Sequence, residues 1–158
     1  MHRNVTAIYR TRETADLVRR ELEALGIAGR HVHVVPDREV PVASTGVRDD
    51  VTYTDQLHGL HLPDEDLRTY QHSVRRGDYV VSVEVEEAQV GRVQEIMRRP
   101  ESEAYNLDTR EGEFRHEQAI AYSAGDRPYN EDYLASRDPA YADPFSRTYR
   151  RNAPLPYV

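Results

Sequence analysis

Residues 57–99, LHGLHLPDEDLRTYQHSVRRGDYVVSVEVEEAQVGRVQEIMRR, hold a helix, a strand and a second helix, each with its own punctuation. Pro63 suits the first turn of a helix, where its missing N–H would have had no intrahelical acceptor, and Asp64, Glu65 and Asp66 set negative charge at the positive end of the helix dipole. Leu67, Tyr70 and Val74 then recur at helical spacing on one stripe. Arg75 and Arg76 stand at the negative end, and Gly77 can take the left-handed stop position. After Gly77 the period changes from 3.6 to 2. Tyr79, Val81, Val83 and Val85 fall on one side of a strand, with Val80, Ser82 and Glu84 on the other. Glu86 and Glu87 open the next helix, Val90, Val93, Ile96 and Met97 line it, Arg98 and Arg99 close it, and Pro100 prevents its continuation.

The chain before this stretch follows the same logic. Residues 5–9 alternate as a first strand. Thr11 is placed to cap a helix whose inner stripe is Ala15, Val18, Leu22 and Leu25 and whose stop is Gly26 followed by Ile27. Residues 31–35 form a second strand, with Val32 and Val34 on one face and His31, His33 and Val35 on the other, ended by Pro36. Residues 37–56 keep no period beyond a short extended piece near 51–54. At about twenty residues the segment exceeds the usual ~12–15 for a structureless connection, so it is expected to carry function or to move. Tyr105 and Leu107 share one side of residues 104–107, which suits a final edge strand.

With the helix at 63–76 set aside as an insertion, the order is βαββαβ. That is the ferredoxin-like, split-βαβ plan of the α+β class: a four-stranded antiparallel sheet with helices on one face. The second sheet face is mixed rather than polar, and homodimerisation, the extra helix or the tail would bury it.

The N-terminal VTAIYRTRETADLVRRELEALGI together with GLHLPDEDLRTYQHSVRRGDYVVSVEVEE resembles the general stress protein 17M-like domain, the YflT type of heat-induced protein. Gly59, Pro63, Glu65, Tyr70, Val74, Arg76, Gly77 and Val81 carry the resemblance, which covers residues 4–108. The glycine-rich insert usual in that family is replaced here by residues 37–56. The resemblance implies a bacterial stress-response protein and transfers no catalytic residue.

The chain of 158 residues has 38% hydrophobic residues and a formal charge of −7, with a mean hydropathy of −0.81. One domain is expected at 1–108 and an extended or disordered Tyr/Pro/Arg-rich tail at 109–158. An acidic chain repels phosphate backbones, so neither nucleic acid nor an anionic membrane is an expected partner. No run approaches the ~20 apolar residues that span a bilayer, and the first residues lack a signal-peptide core, which reads as cytoplasmic. All 21 basic residues are arginine and there is no cysteine. This excludes Schiff-base and phosphate-loop lysines, thiolate nucleophiles and disulfides.

No cofactor and no catalytic residue is expected. The carboxylates of Asp64, Glu65, Asp66, Glu86 and Glu87 are explained by helix dipoles and solvent, and no serine sits in a nucleophile motif. His31 and His33 on one strand face, with His58 and His61 beside Asp64, could hold Zn²⁺, Ni²⁺ or Cu²⁺ if the loop folds back, and would serve a small-ligand or metal-ion sensor built on the 37–62 segment. In the tail, Tyr133, Tyr141, Tyr149 and Tyr157 recur every eight residues between prolines, and residues 115–124 could form a short helix. The segment has too few aliphatics to offset its ordering entropy alone. It reads either as a passive tail or as an arm that docks these tyrosines, with Arg150 and Arg151, on a neighbouring protomer or another protein. The leading expectation is a non-enzymatic stress-associated protein acting through self-association, as a dimer or higher homo-oligomer.

Overall fold

The computed structural model describes residues 2–37, 42, 44, 46–47, 53–100, 102–114 and 135–151, without the side chains of Thr54, Asp55 and Arg151. Its helices are α1 (Arg12–Ala24), α2 (Thr54–His58), α3 (Asp64–Arg75), α4 (Val90–Arg98) and α5 (Leu107–Glu113). Its strands are β1 (His2–Tyr9), β2 (Val32–Val35), β3 (Tyr79–Glu86), β4 (Ala135–Arg137) and β5 (Arg147–Arg151), and they make one sheet in the order β2-β3-β1-β5-β4. Every neighbouring pair is antiparallel. The protein is therefore α+β, with a five-stranded antiparallel sheet. Among the described residues no helix is long and apolar enough to cross a membrane.

The β1–β3 register sets Val5 opposite Val83, Ala7 opposite Val81 and Tyr9 opposite Tyr79, so one set of alternate residues from both strands shares a face. That face, with Val32 and Val34, packs on Ala15, Val18 and Leu22 of α1 and on Val90, Val93, Ile96 and Met97 of α4. Ile8, Val35, Val80 and Tyr149 occupy the opposite face and pack on Leu67, Tyr70 and Val74 of α3, joined by Tyr53, Leu57, Leu60, Leu62 and Leu107. Farther along the second face the side chains turn polar. Asn4, Thr6, Ser82 and Glu84 are buried there. Thr6 Oγ1 donates to Asn4 Oδ1 at 2.6 Å, Asn4 Nδ2 donates to Glu84 Oε1 at 3.1 Å, and His2 Nε2 lies 2.8 Å from Glu84 Oε2.

Local signals place the helix ends. Thr11 Oγ1 accepts from the Thr14 N–H at 3.2 Å, and α1 ends on Gly26 at φ +105°, with the Ile27 N–H reaching back to Leu22 O. α3 ends on Gly77 at φ +111°, where an added Cβ would lie 3.1 Å from Val42 Cγ2. Gly77→Ala is accordingly expected to lower stability by about 1–2 kcal/mol, from the left-handed backbone and the crowding together. Urea unfolding checks this as a lower midpoint at unchanged m value.

Four expectations are corrected. The sheet has five strands rather than four, and helices cover both of its faces, because the helix treated as an insertion, α3, packs across the second face. Residues 104–107 do not continue as an edge strand. Ala104 makes a single bridge to Tyr9 and the Tyr105 N–H donates to Ile8 O, after which the Asn106 side chain accepts from the Thr109 N–H and starts α5. The place beside β1 is taken by β5, paired along Arg3–Thr6 of β1 through Arg147–Arg150. The boundary expected at 108 thus falls inside α5, and the following segment supplies two strands of the sheet. Of the extended piece expected near 51–54, residues 51–52 lie outside the described residues and Thr54 opens α2. The helix expected over 115–124 lies outside the described residues.

Candidate functional site

Asp66 stands one turn before Tyr70 on α3, and Tyr70 one turn before Val74, so its carboxylate points inward with the apolar stripe. It is fully buried. Tyr149 OH donates to its Oδ2 at 2.6 Å, Arg147 Nη1 to its Oδ1 at 3.1 Å, and Arg137 Nε to its Oδ2 at 2.8 Å, with Arg137 Nη2 also on Oδ1. Tyr70 OH lies 2.6 Å from Tyr149 OH and completes the row. On the outer side, Arg147 Nη2 donates to Glu111 Oε2 of α5 at 3.1 Å and to Asp108 Oδ1 at 3.3 Å.

A carboxylate taken out of water costs several kcal/mol, and charge-assisted donors offset that only when its lone pairs are met with good geometry. Here they are met by two guanidinium groups and a phenol, all from residues 137–149. The cluster is a lock that fastens the C-terminal strands to α3 and α5. Its bonds to Asp66 hold the Arg137 guanidinium above the ordinary arginine range. Burial, then the Asp66 charge, pushes the Tyr70 phenol up; burial, then Tyr70 and Asp66, does the same to Tyr149. The expectation that Asp66 is one of three solvent-facing first-turn carboxylates is corrected: Asp64 and Glu65 are exposed, and Asp66 is not.

A second cluster holds α5 from the other side. Asp78 accepts from Arg110 Nη2 at 2.6 Å and from Tyr105 OH at 3.0 Å. The Arg110 guanidinium lies 4.2 Å from the Tyr105 ring centre and 4.6 Å from that of Phe114, so it is held between two aromatic faces.

Between β4 and β5 the chain curls through a 3-10 turn, Pro139–Tyr141, and frames a cleft of about 680 Å³. Its lining includes Arg137, Pro139, Tyr141, Pro144, Ser146, Arg147 and Thr148, together with Asp108, Asp138 and Asp143. The frame is pinned from several directions. Asp138 Oδ2 accepts from Arg3 Nε at 2.9 Å, and Asp143 Oδ2 from Arg98 Nη1 at 2.6 Å. Gln94 Nε2 donates to Tyr141 O at 2.7 Å, and the Leu107 N–H to Pro144 O at 2.8 Å. Ser146 is 1% exposed, and its Oγ has no hydrogen-bond partner among the described residues.

The histidines singled out in the sequence are placed as follows. His31 closes a 3-10 turn, where burial lowers its pKa, and His33 lies on β2 opposite Ser82. His58 ends α2 with its ring 6.3 Å from that of His61, whose Nδ1 lies 3.0 Å from Gly59 O. Among the described residues, no group of three or more His, Asp or Glu side chains is gathered in a way that could hold a metal ion. His33 lines a smaller groove of about 440 Å³ with Gln56, Gly59 and Leu60.

Of the tail residues, Tyr149 sits in the Asp66 lock, and Tyr141 is half-buried against the α1/α4 side of the core. Arg150 is exposed on β5 opposite Arg3. Arg151 ends that strand, and its side chain, like Tyr133 and Tyr157, lies outside the described residues. No family model matches this chain, no curated protein matches it and no solved structure matches it, so the site is read from its own residues.

Proposed function

We propose that this chain is a non-enzymatic, stress-associated protein that works by contact, self-associating with its C-terminal β4–β5 pair as the docking arm. The observation that carries this reading is the Asp66 lock. A strand that follows β1 by more than 130 residues is held beside it through one buried charge cluster, Asp66 with Arg137, Arg147 and Tyr149. Twenty-one residues, 114–134, separate the arm from α5, and fully extended they span up to ~70 Å. The contacts that seat the arm on its own chain would seat it equally on a second copy, which is the arrangement of an exchanged strand.

The antiparallel β2-β3-β1 order supports a variant of the split-βαβ plan in which β5 takes the fourth place. The stress context rests on the resemblance of residues Gly59 through Val81 to the general-stress domain. Light scattering across a hundredfold range of concentration tests the self-association, expected as a dimer fraction that grows with concentration. In a mixture of tagged and untagged chains, capture of the tag is expected to retain untagged chain. A monomer at every concentration, with no mixed species, would end this reading.

A further inference from the structure

We infer that the cleft framed by the β4–β5 connection is a binding site for a small uncharged aromatic molecule bearing an amide or hydroxyl group. The first ground is Ser146. Its hydroxyl lines the cleft, is almost wholly buried and has neither donor nor acceptor among the described residues. Buried polar atoms are nearly always satisfied, so an orphan at a cleft wall points to a group supplied from outside. The volume of about 680 Å³ falls within the range of small-molecule sites.

Charge pairing gives the ligand's class. Asp138 is neutralised by Arg3, Asp143 by Arg98 and Asp108 by Arg147, while Arg147 and Arg137 are also engaged with Asp66 and Glu111. An anion or a cation entering the cleft would have to break one of these pairs or give up part of its hydration with no free countercharge in return. The rest of the wall supplies apolar surface from Pro139, Tyr141 and Pro144. Gln94 has already taken up Tyr141 O and approaches Thr148 Oγ1 at 3.3 Å. An uncharged ring with one hydrogen-bonding group directed at Ser146 fits this lining.

The test is a titration of the full chain, followed by amide chemical shifts, with three probes of one shape: benzamide, benzoate and benzamidine. Benzamide is expected to give saturable shifts centred on Tyr141, Ser146 and Thr148, and the two charged probes to bind at least about tenfold more weakly, the scale of one uncompensated charge. Ser146→Ala should weaken benzamide about fivefold, the worth of one hydrogen bond. The same substitution removes the orphan hydroxyl, so the unliganded variant should melt about 2–4 °C higher. A serine with a purely structural role would give a lower melting temperature. Absence of saturable shifts, a charged probe binding as tightly as benzamide, an unchanged benzamide affinity in the variant, or a lower melting temperature would each overturn the inference.

Discussion

Asp66→Ala is expected to lower folding stability by about 3–5 kcal/mol, the usual cost of removing one partner of a buried ion pair. The loss comes less from the bonds themselves than from what stays behind. Arg147, with its side chain 7% exposed, keeps a desolvated guanidinium whose remaining partners, Glu111 and Asp108, lie on the solvent side. Tyr149 loses the acceptor for its hydroxyl. Arg137→Ala should cost less, about 1–3 kcal/mol, because its own side chain is 47% exposed and the buried carboxylate of Asp66 keeps Arg147 and Tyr149 as donors. Replacing both central charges at once, Asp66→Leu with Arg147→Met, is expected to recover much of the loss, since apolar groups of similar volume often match a buried pair. Denaturant unfolding of Asp66→Leu, Arg147→Met and the double gives the coupling directly. A coupling energy near zero between Asp66 and Arg147 would mean that the lock contributes nothing to holding β5.

The elements written in apolar periodicity are legible in the amino-acid order alone. The Val-rich alternation of β3, the Leu67–Tyr70–Val74 stripe of α3 and the Thr11 and Gly26 ends of α1 all depend on neighbours within a turn or two. β5 is different. RTYRR has no alternating aliphatic residue, because its inward positions are filled by Arg147 and Tyr149, which are buried by pairing with Asp66 and carry no hydrophobic signal. Its strand character comes from distant partners, so local periodicity assigns the segment to a tail and gives the fourth strand to 104–107 instead. Tyr105 and Leu107 do alternate there, but Asn106 between them is a helix cap, and the cap prevails. Asp66 is the nearest miss. It precedes Tyr70 by four residues and so shares the inner face of α3, a spacing that sets it apart from Asp64 and Glu65. The orphan hydroxyl of Ser146 has no sequence signal, since it follows from how the whole 138–146 connection folds over the sheet.

Raising the pH from 8 to 11 is expected to remove a few kcal/mol of folding stability through three phenols, Tyr9, Tyr70 and Tyr149, each on the order of 1 kcal/mol for one pH unit above the ordinary tyrosine value near 10. All three are fully buried, and burial is the main cause that pushes each pKa up. Tyr9 donates to Met97 O at 2.7 Å, while Tyr70 and Tyr149 share a hydroxyl contact beside the Asp66 charge. The sign follows from proton counting. A phenol whose folded value is raised stays protonated in the native chain while the unfolded chain ionises, so its contribution is complete below pH 10 and is lost as pH rises beyond it. Of the eleven tyrosines, those near solvent should ionise first, in a gradual rise of tyrosinate absorbance. Tyr9, Tyr70 and Tyr149 should follow in a steep step that coincides with loss of the circular-dichroism signal. In Tyr149→Phe the alkaline loss should shrink by about a third, because one of the three titrating groups is gone, even though the variant begins less stable at pH 8 for want of the bond to Asp66. If all eleven phenols ionised together at ordinary pH while the fold persisted, the buried row on which the seating of the C-terminal strand depends would not exist in solution.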